Sequence, residues 1–193
     1  TGYTVSASGG SGGTCSAVAP ATSCAVTGLT NGTPYTFTVK ATNAAGDSAA
    51  SAPSSSVTPF TVPNAPTGVS GVAGNTQVTV SWVAPASNGS SITGYTVTAS
   101  NGSTCTTSTT SCVVTGLTNG TAYTFTVTAA NAAGSSVASA PSSNVTPFTV
   151  PDAPTAVSGV PGNAQVTVNW TAPTNTGGSA ITGYTVTASG GAG

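Results

Sequence analysis

The feature that most constrains this chain is that it says the same thing more than once. TGYTVSASGG starts at Thr1, TGYTVTASNG at Thr93 and TGYTVTASGG at Thr182. The tyrosines of these phrases, Tyr3, Tyr95 and Tyr184, lie 92 and 89 residues apart. Between them, LTNGTPYTFTVKATNAAGDSAASAPSSSVTPFTVPNAPTGVSGV aligns without a gap to LTNGTAYTFTVTAANAAGSSVASAPSSNVTPFTVPDAPTAVSGV. Tyr35 to Trp82 is 47 residues, and so is Tyr123 to Trp170. Length variation falls elsewhere: Tyr3 to Tyr35 is four residues longer than Tyr95 to Tyr123. Self-similarity at a fixed period means one structural unit used repeatedly.

The unit is made of strands. QVTVSWV places Val78, Val80 and Trp82 on one face and Gln77, Thr79 and Ser81 on the other. AYTFTVTAAN does the same with Tyr123, Phe125, Val127 and Ala129 against Thr124, Thr126 and Thr128. An alternation of period two, rich in Val, Thr and aromatics, reads as a half-buried strand. Asn-Gly, Pro-Gly, Gly-Gly and Ala-Pro pairs punctuate the runs as turns. No stretch has helical periodicity. Many short strands with closely spaced turn signals predict an all-β sandwich.

The order of landmarks resembles the fibronectin type III domain. They are Pro66, Trp82, Tyr95, Leu117, Tyr123, Asn131 and Gly134. The resemblance covers the whole chain and implies tandem immunoglobulin-like sandwiches. It divides the chain into residues 1–59, the end of one domain (strands C to G); a linker, 60–63; a complete domain, 64–148 (A to G); a linker, 149–151; and residues 152–193, the start of a third (A to C). It also implies that Trp82, Tyr95, Leu117, Tyr123 and Trp170 are core residues. Tyr123 would form a tyrosine corner, its hydroxyl bonding to backbone near Leu117, with Tyr35 and Leu29 repeating it.

Half a sandwich has half a core, and pieces of 40 to 60 residues lie at or below independent stability. The expectation is therefore that the two end pieces are completed head to tail, either by adjacent repeats of a longer array or by other copies of the chain. The repeated C strand favours the array. The joint VTPFTVPNAP, with Pro59, Pro63 and Pro66, has little φ freedom, so it is expected to be short and semi-rigid, and the array a rod.

Composition excludes several function classes. The chain carries one Lys, two acidic residues and no His. Without a basic patch, nucleic-acid binding lacks its main source of affinity. No apolar run approaches the ~18 residues that cross a bilayer, so no membrane insertion is expected. General acid–base catalysis needs a His or paired carboxylates. Asp47 and Asp152 are instead matched by Ser135 and Asn64 in the other copy, and Lys40 by Thr128. No enzyme activity, no cofactor and no metal site is expected, since hard cations want several carboxylates.

The four cysteines form two local pairs in equivalent places, Cys15 with Cys24 and Cys105 with Cys112. Two disulfides and an oxidising, extracellular location are one reading; free buried thiols are the other. Asn-x-Ser/Thr occurs at Asn31, Asn88, Asn101, Asn119, Asn144 and Asn169, as possible glycosylation sites or as turn residues. A nearly chargeless surface tends to associate, which points to glycosylation or to lateral assembly. The loops have no Arg or aromatic anchor for a tight partner. The expected function is a structural segment of a secreted or surface stalk or fibre, resembling prokaryotic surface arrays. The alternative is an adhesin or carbohydrate-associated binding or spacer module, with a glycan or cell-surface ligand as partner.

Overall fold

The computed structural model describes residues 1–190, and no helix occurs among them. The last three residues of the 152–193 piece lie outside the described residues. Thirteen strands follow in order: β1 (Gly2–Ser8), β2 (Thr14–Val18), β3 (Thr36–Asn43), β4 (Gly46–Asp47), β5 (Thr67–Gly74), β6 (Gln77–Val83) and β7 (Gly94–Ala99). Then come β8 (Thr104–Thr107), β9 (Ser111–Thr115), β10 (Phe125–Asn131), β11 (Gly134–Ser135), β12 (Thr155–Gly162) and β13 (Gln165–Thr171). The backbone forms two compact units. One comprises Thr1–Pro66, Ala84–Tyr95 and Thr128–Ala138; the other comprises Thr67–Val83, Thr96–Val127 and the chain from Ser139 onward.

In the first unit the leading strands form an antiparallel sheet in the order β2-β1-β3-β4. β1 runs along β3 from Gly2↔Thr42 to Ser8↔Thr36, and along β2 from Gly2↔Val18 to Ser6↔Thr14. Alternation of Thr with Tyr, Val and Phe suits these residues to a pleated sheet with one apolar face.

In the second unit, β5-β6-β9 form a three-stranded sheet. A bulge lies between Thr67 and Ser70 of β5, and β9 pairs with β6 from Gln77↔Thr115 to Ser81↔Ser111. The core of this unit is Val78, Val80 and Trp82 of β6, Val97 and Ala99 of β7, Val114 of β9, Leu117, Tyr123, and Phe125 and Val127 of β10, all buried. Each large apolar side chain so buried stabilises the fold by about 1.5–3 kcal/mol. A further sheet has the order β11-β10-β7-β8. These two sheets make the all-β, immunoglobulin-like sandwich that the alternation predicts.

The last strand differs from expectation. After the two residues of β11, strand G gives way to a ladder of serines spaced three apart. Ser142, Ser139 and Ser136 donate their N–H groups to the carbonyls of Phe125, Val127 and Ala129, at 2.9, 2.9 and 2.7 Å. Their Oγ atoms accept the N–H groups of the same three residues, at 3.1, 3.0 and 3.0 Å. Each hydroxyl then donates onward to the next residue's carbonyl at 2.8 Å. A serine hydroxyl thus stands where a strand would place a carbonyl, and β10 keeps its polar groups paired. The leading copy repeats the ladder: Ser54, Ser51 and Ser48 Oγ accept from Phe37, Val39 and Ala41 at 3.0, 3.1 and 3.0 Å.

Two further expectations fail, for one reason. The phrase TGYTVTAS forms β7 at its second occurrence but no strand at its third, residues 182–189. Residues 23–27, equivalent to β9, are likewise not a strand. β7 lies against β10, and β9 against β6; among the described residues neither partner has a counterpart paired with these segments. Trp170, expected in the core, is 36% exposed, whereas its equivalent Trp82 is 6% exposed. Val166 is 60% exposed against 0% for Val78. A strand is stabilised by its cross-strand and facing neighbours more than by its own sequence.

Candidate functional site

Cys15, Cys105 and Cys112 lie on edge strands, Cys24 lies outside the strands, and all four are bonded. Cys15 of β2 joins Cys24, with Cα atoms 6.0 Å apart. Cys105 of β8 joins Cys112 of β9, with Cα atoms 6.3 Å apart. β8 is the outer strand of one sheet and β9 of the other, so the second bridge ties the sheets together. Among the described residues there is no free cysteine.

The tyrosine corner is built twice. Thr118 N–H donates to the hydroxyl of Tyr123 at 3.1 Å, and Thr30 N–H to that of Tyr35 at 3.0 Å. Each tyrosine also exchanges backbone hydrogen bonds with a valine, Tyr123 with Val145 and Tyr35 with Val57. The hydrogen bond from the Thr118 backbone lowers the Tyr123 phenol below its ordinary value.

The possible glycosylation sites separate by what their amides do. Asn88 Nδ2 donates to the Val62 carbonyl at 2.9 Å and to Asn64 Oδ1 at 3.0 Å. Asn119 Nδ2 donates to Asn75 Oδ1 at 2.8 Å, and its Oδ1 accepts Thr76 N–H at 2.9 Å. Asn101 is exposed in a turn that its Oδ1 closes onto Ser103 N–H at 3.0 Å. Asn31 and Asn144 are exposed, and Asn169 is exposed on β13.

No group of three or more His, Cys, Asp or Glu occurs among the described residues. Asp47 accepts the Thr42 hydroxyl at 2.6 Å inside the β3–β4 hairpin. Trp170 and Tyr184 touch at 5.2 Å between ring centroids and line an open pocket of about 200 Å³ with Pro154, Val157, Val168 and Val186. An exposed aromatic pair could stack on a sugar, but the equivalent Trp82 and Tyr95 are both buried. Trp170 and Tyr184 therefore stand at positions that are core in the 64–148 domain, although both are exposed here.

The most elaborate polar arrangement lies at the joints between repeats. At the first, Gly32 N–H donates to Pro59 O at 2.9 Å, Thr61 N–H to Asn88 O at 3.1 Å and Asn64 N–H to Ala86 O at 3.1 Å. Asn131, 7% exposed, directs Nδ2 at the carbonyls of Thr61, Ser87 and Ser90, at 2.8, 2.9 and 3.3 Å. The second joint repeats the backbone bonds: Gly120 to Pro147 at 2.9 Å, Thr149 to Gly177 at 2.8 Å and Asp152 to Asn175 at 3.1 Å. The prolines of VTPFTVPNAP pointed to a stiff linker; the docking of the 84–93 loop onto it went unread. The available signal was that both loops carry a glycine here, SNGSS and NTGGS, although one loop is a residue longer.

This fold and its doubled tyrosine corner define a class of tandem immunoglobulin-like sandwich repeats. The model of the fibronectin type III domain matches residues 1–57 and 64–145. The chain belongs to the fibronectin type III family. It is 36% identical over 188 residues to Exoglucanase B of Cellulomonas fimi, covering 87% of this chain and 17% of that protein. It is 41% identical over 179 residues to Endoglucanase B of Cellulomonas fimi, covering 82% and 17%. It is 37% identical over 121 residues to Chitinase A1 of Niallia circulans, covering 58% and 17%. The chain thus spans 17% of the length of each of these relatives. Among solved structures, the FN1–FN3 domains of chicken CNTN1 are similar at TM-score 0.46 and 22% identity, over 89% of this chain and 66% of that one.

Proposed function

We propose that this chain is a non-catalytic, extracellular spacer: a stalk segment that holds other parts of a larger protein apart. The observation that carries the reading is modular. Most of the chain aligns with 17% of an exoglucanase and 17% of an endoglucanase, so in those proteins most of the length lies outside the match. Two disulfides support an oxidising location. Short proline-containing linkers with repeated backbone docking support a stalk over a loose string.

A second reading is favoured by the names of the relatives: the spacer serves an enzyme that degrades cellulose or chitin and itself touches the polysaccharide. The chain incubated with insoluble cellulose and chitin separates the two. Recovery of all protein in the supernatant, with no sugar released, is the spacer outcome. Retention on either polymer replaces it with the binding reading. Filaments of the purified chain in electron micrographs would extend the stalk to a self-assembled fibre.

A further inference from the structure

We propose that the Asn-Gly turn before each corner tyrosine is a docking surface for the loop of the following repeat, seated by one glycine of that loop. The partner it fits is a second fibronectin type III repeat whose loop places a left-handed glycine against the turn. At the first joint, Gly89 has φ +93°, and a Cβ there would lie 2.5 Å from Pro59 O and 2.6 Å from Gly32 N. At the second, Gly178 has φ +91°, and a Cβ there would run into Gly120 N and lie 3.0 Å from Asn119 Cβ. No side chain fits at either position, so the two backbones meet directly.

The two joints make the same contact from different loop sequences, APASNGSSIT and APTNTGGSAIT, the second one residue longer. The extra residue is absorbed before Asn175, and the bonds beyond it keep their partners. The left-handed residue before the seated glycine is Asn88 at φ 54° in one loop and Gly177 at φ 72° in the other. A contact kept through an insertion and a change of residue type is held by the geometry of the joint. Four hydrogen-bonded groups flank it at the first joint: Gly32, Thr61, Asn64 and the Asn131 amide. The consequence is a fixed orientation of neighbouring repeats in solution, which holds whether or not the spacer reading does.

The test is a distance distribution by pulsed EPR in the whole chain. Spin labels are carried on unnatural amino acids at exposed Ser16, on β2, and exposed Ser135, on β11, leaving the cysteines alone. The wild type should give one narrow peak, and Gly89→Ala should lose it. Gly102→Ala is the matched control: Gly102 has φ +87°, so the backbone strain is alike, but nothing lies within 4 Å of its Cβ position. It should keep the narrow peak. Hydrogen exchange at Val127 checks that the fold survives in each variant. A broad wild-type distribution, a narrow one for Gly89→Ala in a folded protein, or equal broadening by Gly102→Ala would each overturn the proposal.

Discussion

Val127 of β10 gives its N–H to the hydroxyl of Ser139 at 3.0 Å and its carbonyl to the N–H of the same serine at 2.9 Å. One residue serves both backbone groups of another, using one main-chain atom and one side-chain atom. Ser139→Ala keeps the second bond and removes the first. The buried Val127 N–H then lacks its acceptor, at a cost of about 1–3 kcal/mol. Hydrogen exchange at Val127 should accelerate strongly. Ser143→Ala, at an exposed neighbour that serves the ladder only through its backbone carbonyl, should leave it unchanged. Equal exchange in both variants would remove the ladder's structural role.

Tyr123→Phe removes the acceptor of Thr118 N–H. The loss should be read as a lower denaturant midpoint. The phenol also gives a pH signature. Its value in the fold is lowered, so ionisation favours the native state. The stabilising contribution is full above the ordinary phenol value of about 10 and lost as pH falls through the lowered one. A difference ultraviolet titration of wild type against Tyr123→Phe should show a phenol ionising below the ordinary range.

The bridges close short loops, with sequence separations of 9 and 7. Replacing Cys105 and Cys112 together by Ser should cost about 2–3 kcal/mol through loop entropy. Intact mass after alkylation checks the bonds themselves. Without reductant no cysteine should be modified; with reductant all should be. Modification of the unreduced folded protein would show free thiols.

Asn88 uses its amide nitrogen twice at the first joint. A glycan on that nitrogen would displace one bond, so chains expressed in a glycosylating host and folded should carry none at Asn88. Peptide mapping of the monodisperse fraction reads this directly, with exposed Asn101 as the comparison.

Much of the fold was legible because it is written in alternation. Val78, Val80 and Trp82 on one face of QVTVSWV fixed both the strand and its buried side. The corner was legible through the family resemblance that Leu117 and Tyr123 help to carry. What could not be read was anything set by a neighbour. TGYTVTAS is a strand at Thr93 and not at Thr182, because only the former has β10 beside it. The serine ladder hid in a period of three, which neither strand nor helix templates look for. The bonded cysteines were one of two readings that spacing allowed. The joint was missed because small polar loops advertise no chemistry; its information lies in the absence of side chains.

That absence has an evolutionary corollary. The three backbone bonds at each joint run from main chain to main chain, and the contact between the loops is glycine on glycine. At the seated glycine, recognition between neighbours is thus blind to side-chain identity, while the Asn88 and Asn131 amides add side-chain bonds around it at the first joint. Duplicating or deleting a whole repeat by recombination would leave every new junction competent at once, with no compensating mutations needed. Copy number in such a gene is free to drift, and the reach of the protein can be selected without redesigning its parts.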